Sequence, residues 1–184
     1  MAPQSFTLLS IMLCAVHVHS LCRLQGALVE KVNGLAENMG GSFPFECLDQ
    51  NVQLTFPAAA FESNGTAQVR KAIYDVLRKM DVLFENDTMP NSWDQRKIDD
   101  FRNIVYRLVE ENECVSGRPY DFSDREILLD AYFKEMADLL LQKEFSACAW
   151  EVVRKETLRT LGFILQNASD HLFWTRRHGH KRRR

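Results

Sequence analysis

Proline is scarce in this chain, with five residues in 184, at positions 3, 44, 57, 90 and 119. Proline interrupts helix interiors, so the long intervals between these positions leave room for unbroken helices. Strict apolar–polar alternation is also missing over any length that competes as a strand. No apolar run reaches the ~20 residues a membrane-spanning helix needs. HExxH, GxSxG and a glycine-rich phosphate loop are all absent, which removes the usual sequence grounds for an enzyme. Of the five histidines, two stand within the first twenty residues and two near the C-terminus, leaving His171 by itself. No CxxC pair occurs, which argues against a zinc site, and nothing implies a metal or another cofactor.

The first twenty residues, MAPQSFTLLSIMLCAVHVHS, lack Lys, Arg, Asp and Glu altogether. An apolar run from Leu8 to Val18 ends at Val18 and Ser20, which suit the small-residue positions ahead of a signal-peptidase cut. This reads as a secretory leader over residues 1–20, and its removal takes Cys14 with it. Four cysteines then remain: Cys22, Cys47, Cys114 and Cys148. An odd count made even by export points to two disulfides in an oxidising compartment. Three sequons agree with secretion, beginning at Asn64, Asn86 and Asn167. The first two fall in predicted loops, and the third needs an outward side chain late in a helix.

What is present is helical periodicity. A first helix carries Leu24, Leu28, Val32, Leu35 and Met39 and stops at Gly40-Gly41. A second carries Val69, Ile73, Val76, Leu77, Met80, Leu83 and Phe84. A third follows Ser92, which with Gln95 makes a capping box, and a fourth repeats the device with Ser123 and Glu126. A fifth runs from about Ala147 to about Ser169. Trp150, Val153, Thr157, Leu161 and Ile164 share one face of it, whereas Val152 and Phe163 fall away from that stripe. The fifth helix is therefore either packed on two sides or presents an apolar patch to a partner. The class is all-α, a bundle of five helices over residues 21–174, with a basic tail from residue 175 to 184.

The connection between the first two helices, residues 41–66, far exceeds the ~2–8 residues that join antiparallel neighbours in a bundle. Such a crossover lets the first two helices run parallel, as in up-up-down-down cytokine bundles. Phe43, Phe45, Leu48, Leu54 and Phe56 make this loop too apolar to float free. The topology also selects among the three possible cysteine pairings. With the third and fifth helices running down, Cys22 and Cys114 share one end of the bundle, and Cys47 and Cys148 the other. Any other pairing joins opposite ends of helices ~25 Å long, beyond the ~7 Å that bonded cysteine Cα atoms allow.

The run CAWEVVRKE, Cys148 to Glu156, resembles the signature of the type I interferons. Trp93 through Phe101, Tyr106, Leu108 and Cys114 is similar to their third helix, and Ala131 through Cys148 to their fourth helix leading into the fifth. Phe43-Pro44-Phe45-Glu46-Cys47-Leu48 and the short tail are most similar to the four-cysteine interferons of bony fish. The resemblance implies a secreted antiviral cytokine that bridges the two chains of a heterodimeric class II cytokine receptor, the type I interferon receptor. It places one receptor chain on the long loop and the fifth helix, at Leu48, Arg154, Leu158 and Arg159; Lys155, beside them on the helix, reads as a rim contact. It places the other across the second and third helices, with Tyr106 at an aromatic contact position. Asn51 stands where mammalian alpha forms carry arginine, Lys155 replaces a small residue and Gly162 a serine, while Lys97 and Arg102 do not match. Partner choice should then follow the fish receptors. Another helical cytokine would explain the bundle but not this run.

Six of the nine residues from Arg176 to Arg184 are Lys or Arg. Removing those six from 23 leaves 17 basic against 25 acidic residues, a body of about −8 with a tail of about +6. The tail is expected to be disordered. It is either a solubilising end or a tether to sulfated glycans or anionic membrane surfaces. It implies no specific nucleic acid, and His178 and His180 are too small a set for a metal. A cationic host-defence protein that binds polyanions would account for the tail alone.

Overall fold

The computed structural model describes residues 22–63, 65–116 and 124–175. The expected leader, the Asn64 acceptor, Ser123 and the tail beyond Thr175 lie outside the described residues. Five α-helices occur among them: α1 (Gly26–Gly40), α2 (Thr66–Phe84), α3 (Gln95–Glu110), α4 (Asp124–Gln142) and α5 (Ala147–Asn167). The only strand-like pairing among these residues is an isolated bridge between Gln25 and Phe173.

Hydrogen bonds and ion pairs between elements fix the helix directions. Asp94 at the head of α3 donates its backbone N–H to Met39 at the end of α1, and Arg154 near the start of α5 reaches the Ala36 and Gly41 carbonyls. Both α3 and α5 therefore run against α1. Arg102 on α3 donates to the Glu85 carbonyl just past α2, so α2 runs parallel to α1. Around the bundle the packing order is α1, α3, α2, α4, α5 and back to α1. Lys71 and Lys79 on α2 meet Glu126 and Asp130 on α4, so α4 runs parallel to α2. The turn from α4 into α5 is tight enough to hold Glu144 and Phe145 at φ 51° and 53°, a conformation side chains tolerate poorly.

The core is one apolar cluster in which Trp150 is fully buried, 5.6 Å from Phe84 and 6.2 Å from Trp93 between ring centroids. Val152 is also buried, and Phe163 lies 4.9 Å from Phe56 and 5.2 Å from Phe61. Helix α5 is thus packed on two sides, because the α1–α2 connection folds back across its outer face. Cys22 is bonded to Cys114 and Cys47 to Cys148.

Some local expectations need correction. Helix α3 is capped by Asp94, whose carboxylate accepts from the Arg96 and Lys97 backbone N–H groups. Ser92 is not the cap, and Gln95 donates instead to the Pro90 and Trp93 carbonyls. Burial of Trp93 draws the chain inward, so the first helical turn begins after it. Those backbone N–H groups hold the Asp94 carboxyl below the ordinary aspartate range. In α4, Glu126 points to Lys71. Leu24 lies ahead of α1, paired through its carbonyl with the Phe173 N–H.

Candidate functional site

The α1–α2 connection leaves Gly41, turns through a 3₁₀ segment at Phe45–Gln50 and crosses α5. Cys47 is buried and bonded to Cys148, in the first turn of α5. Three α5 cations then hold the connection from beneath. Arg154 donates to the Gly41 carbonyl at 2.8 Å and to those of Ala36 and Glu37 at 3.2 Å. Lys155 donates to Asn51 Oδ1 at 2.6 Å and to the Val52 carbonyl at 2.8 Å. Arg159 donates to the Leu54 carbonyl at 3.0 Å, with its guanidinium 5.6 Å from the Phe56 ring centroid. The strap is therefore fixed by one covalent bond and a ladder of charge-assisted hydrogen bonds to its backbone.

Arg154 is not the outward contact the sequence implied. It is 3 % exposed. Its guanidinium makes a forked pair with Glu151, Nε at 3.0 Å and Nη2 at 2.7 Å, and lies 5.8 Å from the Trp93 ring centroid. Trp93 Nε1 donates to the other Glu151 oxygen at 2.6 Å. A buried ion pair is tolerable only when its remaining donors and acceptors are satisfied, and here the carbonyls of α1 complete the set. Gly40 belongs to the same arrangement, since a Cβ there would lie 2.7 Å from Arg154 Nε and 2.8 Å from Trp93 Nε1.

Apolar side chains of the strap point outward. Phe45 is 89 % exposed and Leu48 53 %, so these two do not anchor the loop; Leu54, Phe56 and Phe61 do that. In a 3₁₀ turn, residues i and i+3 fall above one another, so fixing Cys47 inward throws Phe45 and Leu48 together onto the solvent side. Val52 is also exposed, and half-buried Leu158 and exposed Arg159 are consecutive residues on α5. Phe45 is the residue that sequence reasoning left off the site, although its spacing from Cys47 and Leu48 carried the signal. Glu156, 1 % exposed, takes a hydrogen bond from Tyr132 on α4 and faces Lys155 and Arg159. Burial, above all, pushes the Tyr132 phenol well above its usual range.

Tyr106 stands apart from this face, on α3 and 56 % exposed, beside a cleft between α2 and α3. Lys97 donates to the Asn38 carbonyl and pairs with Asp94, and Arg102 pairs with Asp87. Asn86 is exposed in the α2–α3 connection, with its side-chain oxygen accepting from the Thr88 N–H. Asn167 is exposed at the end of α5 and donates to the Phe163 carbonyl. Among the described residues no group of three His, Cys, Asp or Glu could hold a metal ion, and no helix is long and apolar enough to cross a membrane.

The family model of the interferon alpha/beta domain matches residues 23–170. Interferon a3 of Oncorhynchus mykiss is 30 % identical over 174 residues, covering 86 % of this chain and 91 % of its own. Interferon alpha-10 of Homo sapiens is 27 % identical over 138 residues, covering 70 % of this chain and 73 % of its own. Among solved structures, zebrafish interferon 2 superposes with a TM-score of 0.71 at 45 % identity, covering 77 % of this chain and 97 % of that one.

Proposed function

The chain belongs to the interferon alpha/beta family and is a type I interferon of the fish type, a cytokine rather than an enzyme, and we propose that it is an exported antiviral signal that bridges two receptor chains. The observation that carries this reading is the pair Phe45 and Leu48, held outward on a strap that Cys47, Lys155 and Arg159 fasten to α5. An exposed phenylalanine on a rigid support costs little entropy when a partner covers it, which is how binding hot spots are built. One receptor chain docks on Phe45, Leu48, Leu158 and Arg159, with Lys155 at the rim. The other docks across α2 and α3 around Tyr106. The packing order α1, α3, α2, α4, α5 keeps the α2–α3 pair apart from α5, which supports the bridging reading. The leader over residues 1–20 directs export, the domain spans 21–174, and Asn64, Asn86 and Asn167 are glycan acceptors.

The basic tail serves as a tether to sulfated glycans or anionic membrane surfaces. Its attachment point supports this. Phe173 is paired with Leu24 and Gly26, next to the Cys22 end of the bundle, while Phe45 and Leu48 flank Cys47 at the Cys148 end of a 21-residue helix that is ~30 Å long at ~1.5 Å per residue. Truncation after Thr175 should shorten heparin-column retention and leave signalling intact; unchanged retention refutes the tether. For the receptor reading, the test is an interferon-responsive reporter in fish cells lacking each receptor chain in turn. Signalling should require both chains, and activation that survives either deletion refutes the bridge.

A further inference from the structure

Between α2 and α3 lies an open cleft of about 250 Å³. Its floor is apolar and belongs to the core, made by Met80, Phe84 and Phe101, while Asp81, Glu85, Arg102 and Tyr106 stand at its rim. Drug-sized ligands occupy ~300–1,000 Å³, so this space suits one side chain.

The charge in the cleft is unbalanced. Among the described residues the Asp81 carboxylate has neither a hydrogen-bond nor an ion-pair partner. Partial burial, then the like charges of Glu85 and Glu110, push its carboxyl above the ordinary aspartate value, and Arg102 is the weakest influence on it. The two arginines of α3 nearest the cleft are committed elsewhere. Arg102 donates to Asp87 at 2.9 Å and to the Glu85 carbonyl at 2.8 Å, and Arg107 donates to Glu111 at 2.7 Å. The molecule thus holds two carboxylates above an apolar floor beside an aromatic ring, and the one cation lining the cleft, Arg102, is paired with Asp87 rather than with either of them.

Resting on the receptor reading above, we infer that this cleft takes an arginine side chain from the receptor chain that docks on α2 and α3. A planar guanidinium stacks on a phenol ring and forks to a carboxylate at once, which lysine does not do. Asp81 and Glu85 supply the fork and Tyr106 the stacking surface, while the stem of the side chain lies over the apolar floor. Asp81 is then a specificity-determining residue, because a receptor without a cation there leaves both carboxylates desolvated and unpaired.

The experiment measures binding of full-length protein to the purified ectodomain of each fish type I interferon receptor chain. The forms compared are wild type, Asp81→Asn, Asp81→Lys and Tyr106→Ala, each with its melting temperature recorded. Asp81→Lys is expected to weaken binding of one ectodomain by about tenfold or more and leave the other unchanged. Asp81→Asn is expected to weaken it less and to flatten its dependence on salt, with melting unchanged in both. If both Asp81 variants bind both ectodomains as wild type does, the inference is overturned while the receptor reading stands. If wild type binds neither ectodomain, the receptor reading fails and this inference with it.

Discussion

Trp93 and Glu151, 58 positions apart in sequence, are joined by a 2.6 Å hydrogen bond from the indole N–H to a carboxylate oxygen. The other oxygen of that carboxylate is held by Arg154. This buried pin ties the head of α3 to the first turns of α5, and through the Gly41 carbonyl it sets where the strap departs.

Arg154→Ala should accordingly act on stability first. It strands a buried carboxylate and three carbonyls, and breaking a buried pair from one side costs about 3–5 kcal/mol. Arg159→Ala, at a half-exposed position, should change stability by at most about 1 kcal/mol. Thermal denaturation of the two variants distinguishes them. Equal melting temperatures would show that the Arg154 pair contributes nothing.

Helix α5 should tolerate loss of Trp150 poorly. Its ring is fully buried between Phe84 and Trp93, and Trp150→Ala leaves a cavity costing about 3–5 kcal/mol. Chemical denaturation should show a lower midpoint with the slope retained. A wild-type midpoint would remove Trp150 from the core.

The Cys47–Cys148 bond closes a span of 101 residues, for which the chain-entropy account gives about 2–5 kcal/mol. A Cys47→Ser, Cys148→Ser double variant should lose stability in that range. Limited proteolysis should then cut within residues 49–57 before the bundle unfolds. A strap as protected as in wild type would mean that Lys155 and Arg159 suffice to hold it.

Asp75 gives a prediction about pH. Burial raises its carboxyl above the ordinary aspartate value despite the 2.9 Å contact with Lys71. A raised folded-state value means the native state binds the proton more tightly than the unfolded chain. That contribution is complete below the unfolded value and is lost as pH rises through the folded one. Asp75→Asn, which cannot ionise, should escape that loss, so its stability relative to wild type should grow from acidic to neutral pH. A difference that instead shrinks over that range would contradict the assignment.

The bundle was legible because its helices are periodic, and the cysteine pairing because the long crossover allows one arrangement of ends. The direction of the α5 charges was less so. A helix packed on two sides has no outer face for periodicity to reveal, and Arg154, four residues after Trp150, sits on the core stripe as much as beside it. A charge run reads as solvated until the carbonyls it serves are known, and those come from residues 36 to 54, more than a hundred positions away. The shift of the α3 cap from Ser92 to Asp94 has a similar origin, in the long-range burial of Trp93.

On the proposed receptor reading, apolar side chains on a rigid strap, rather than the α5 cations beneath it, form the principal receptor contact. The direct measurement is affinity of full-length Phe45→Ala, Leu48→Ala and the double variant for the strap-binding receptor ectodomain, paired with melting temperature. The double variant should lose about 2 kcal/mol or more of binding at an unchanged melting temperature. Wild-type affinity in the double variant, with Lys155→Ala abolishing binding, would contradict it.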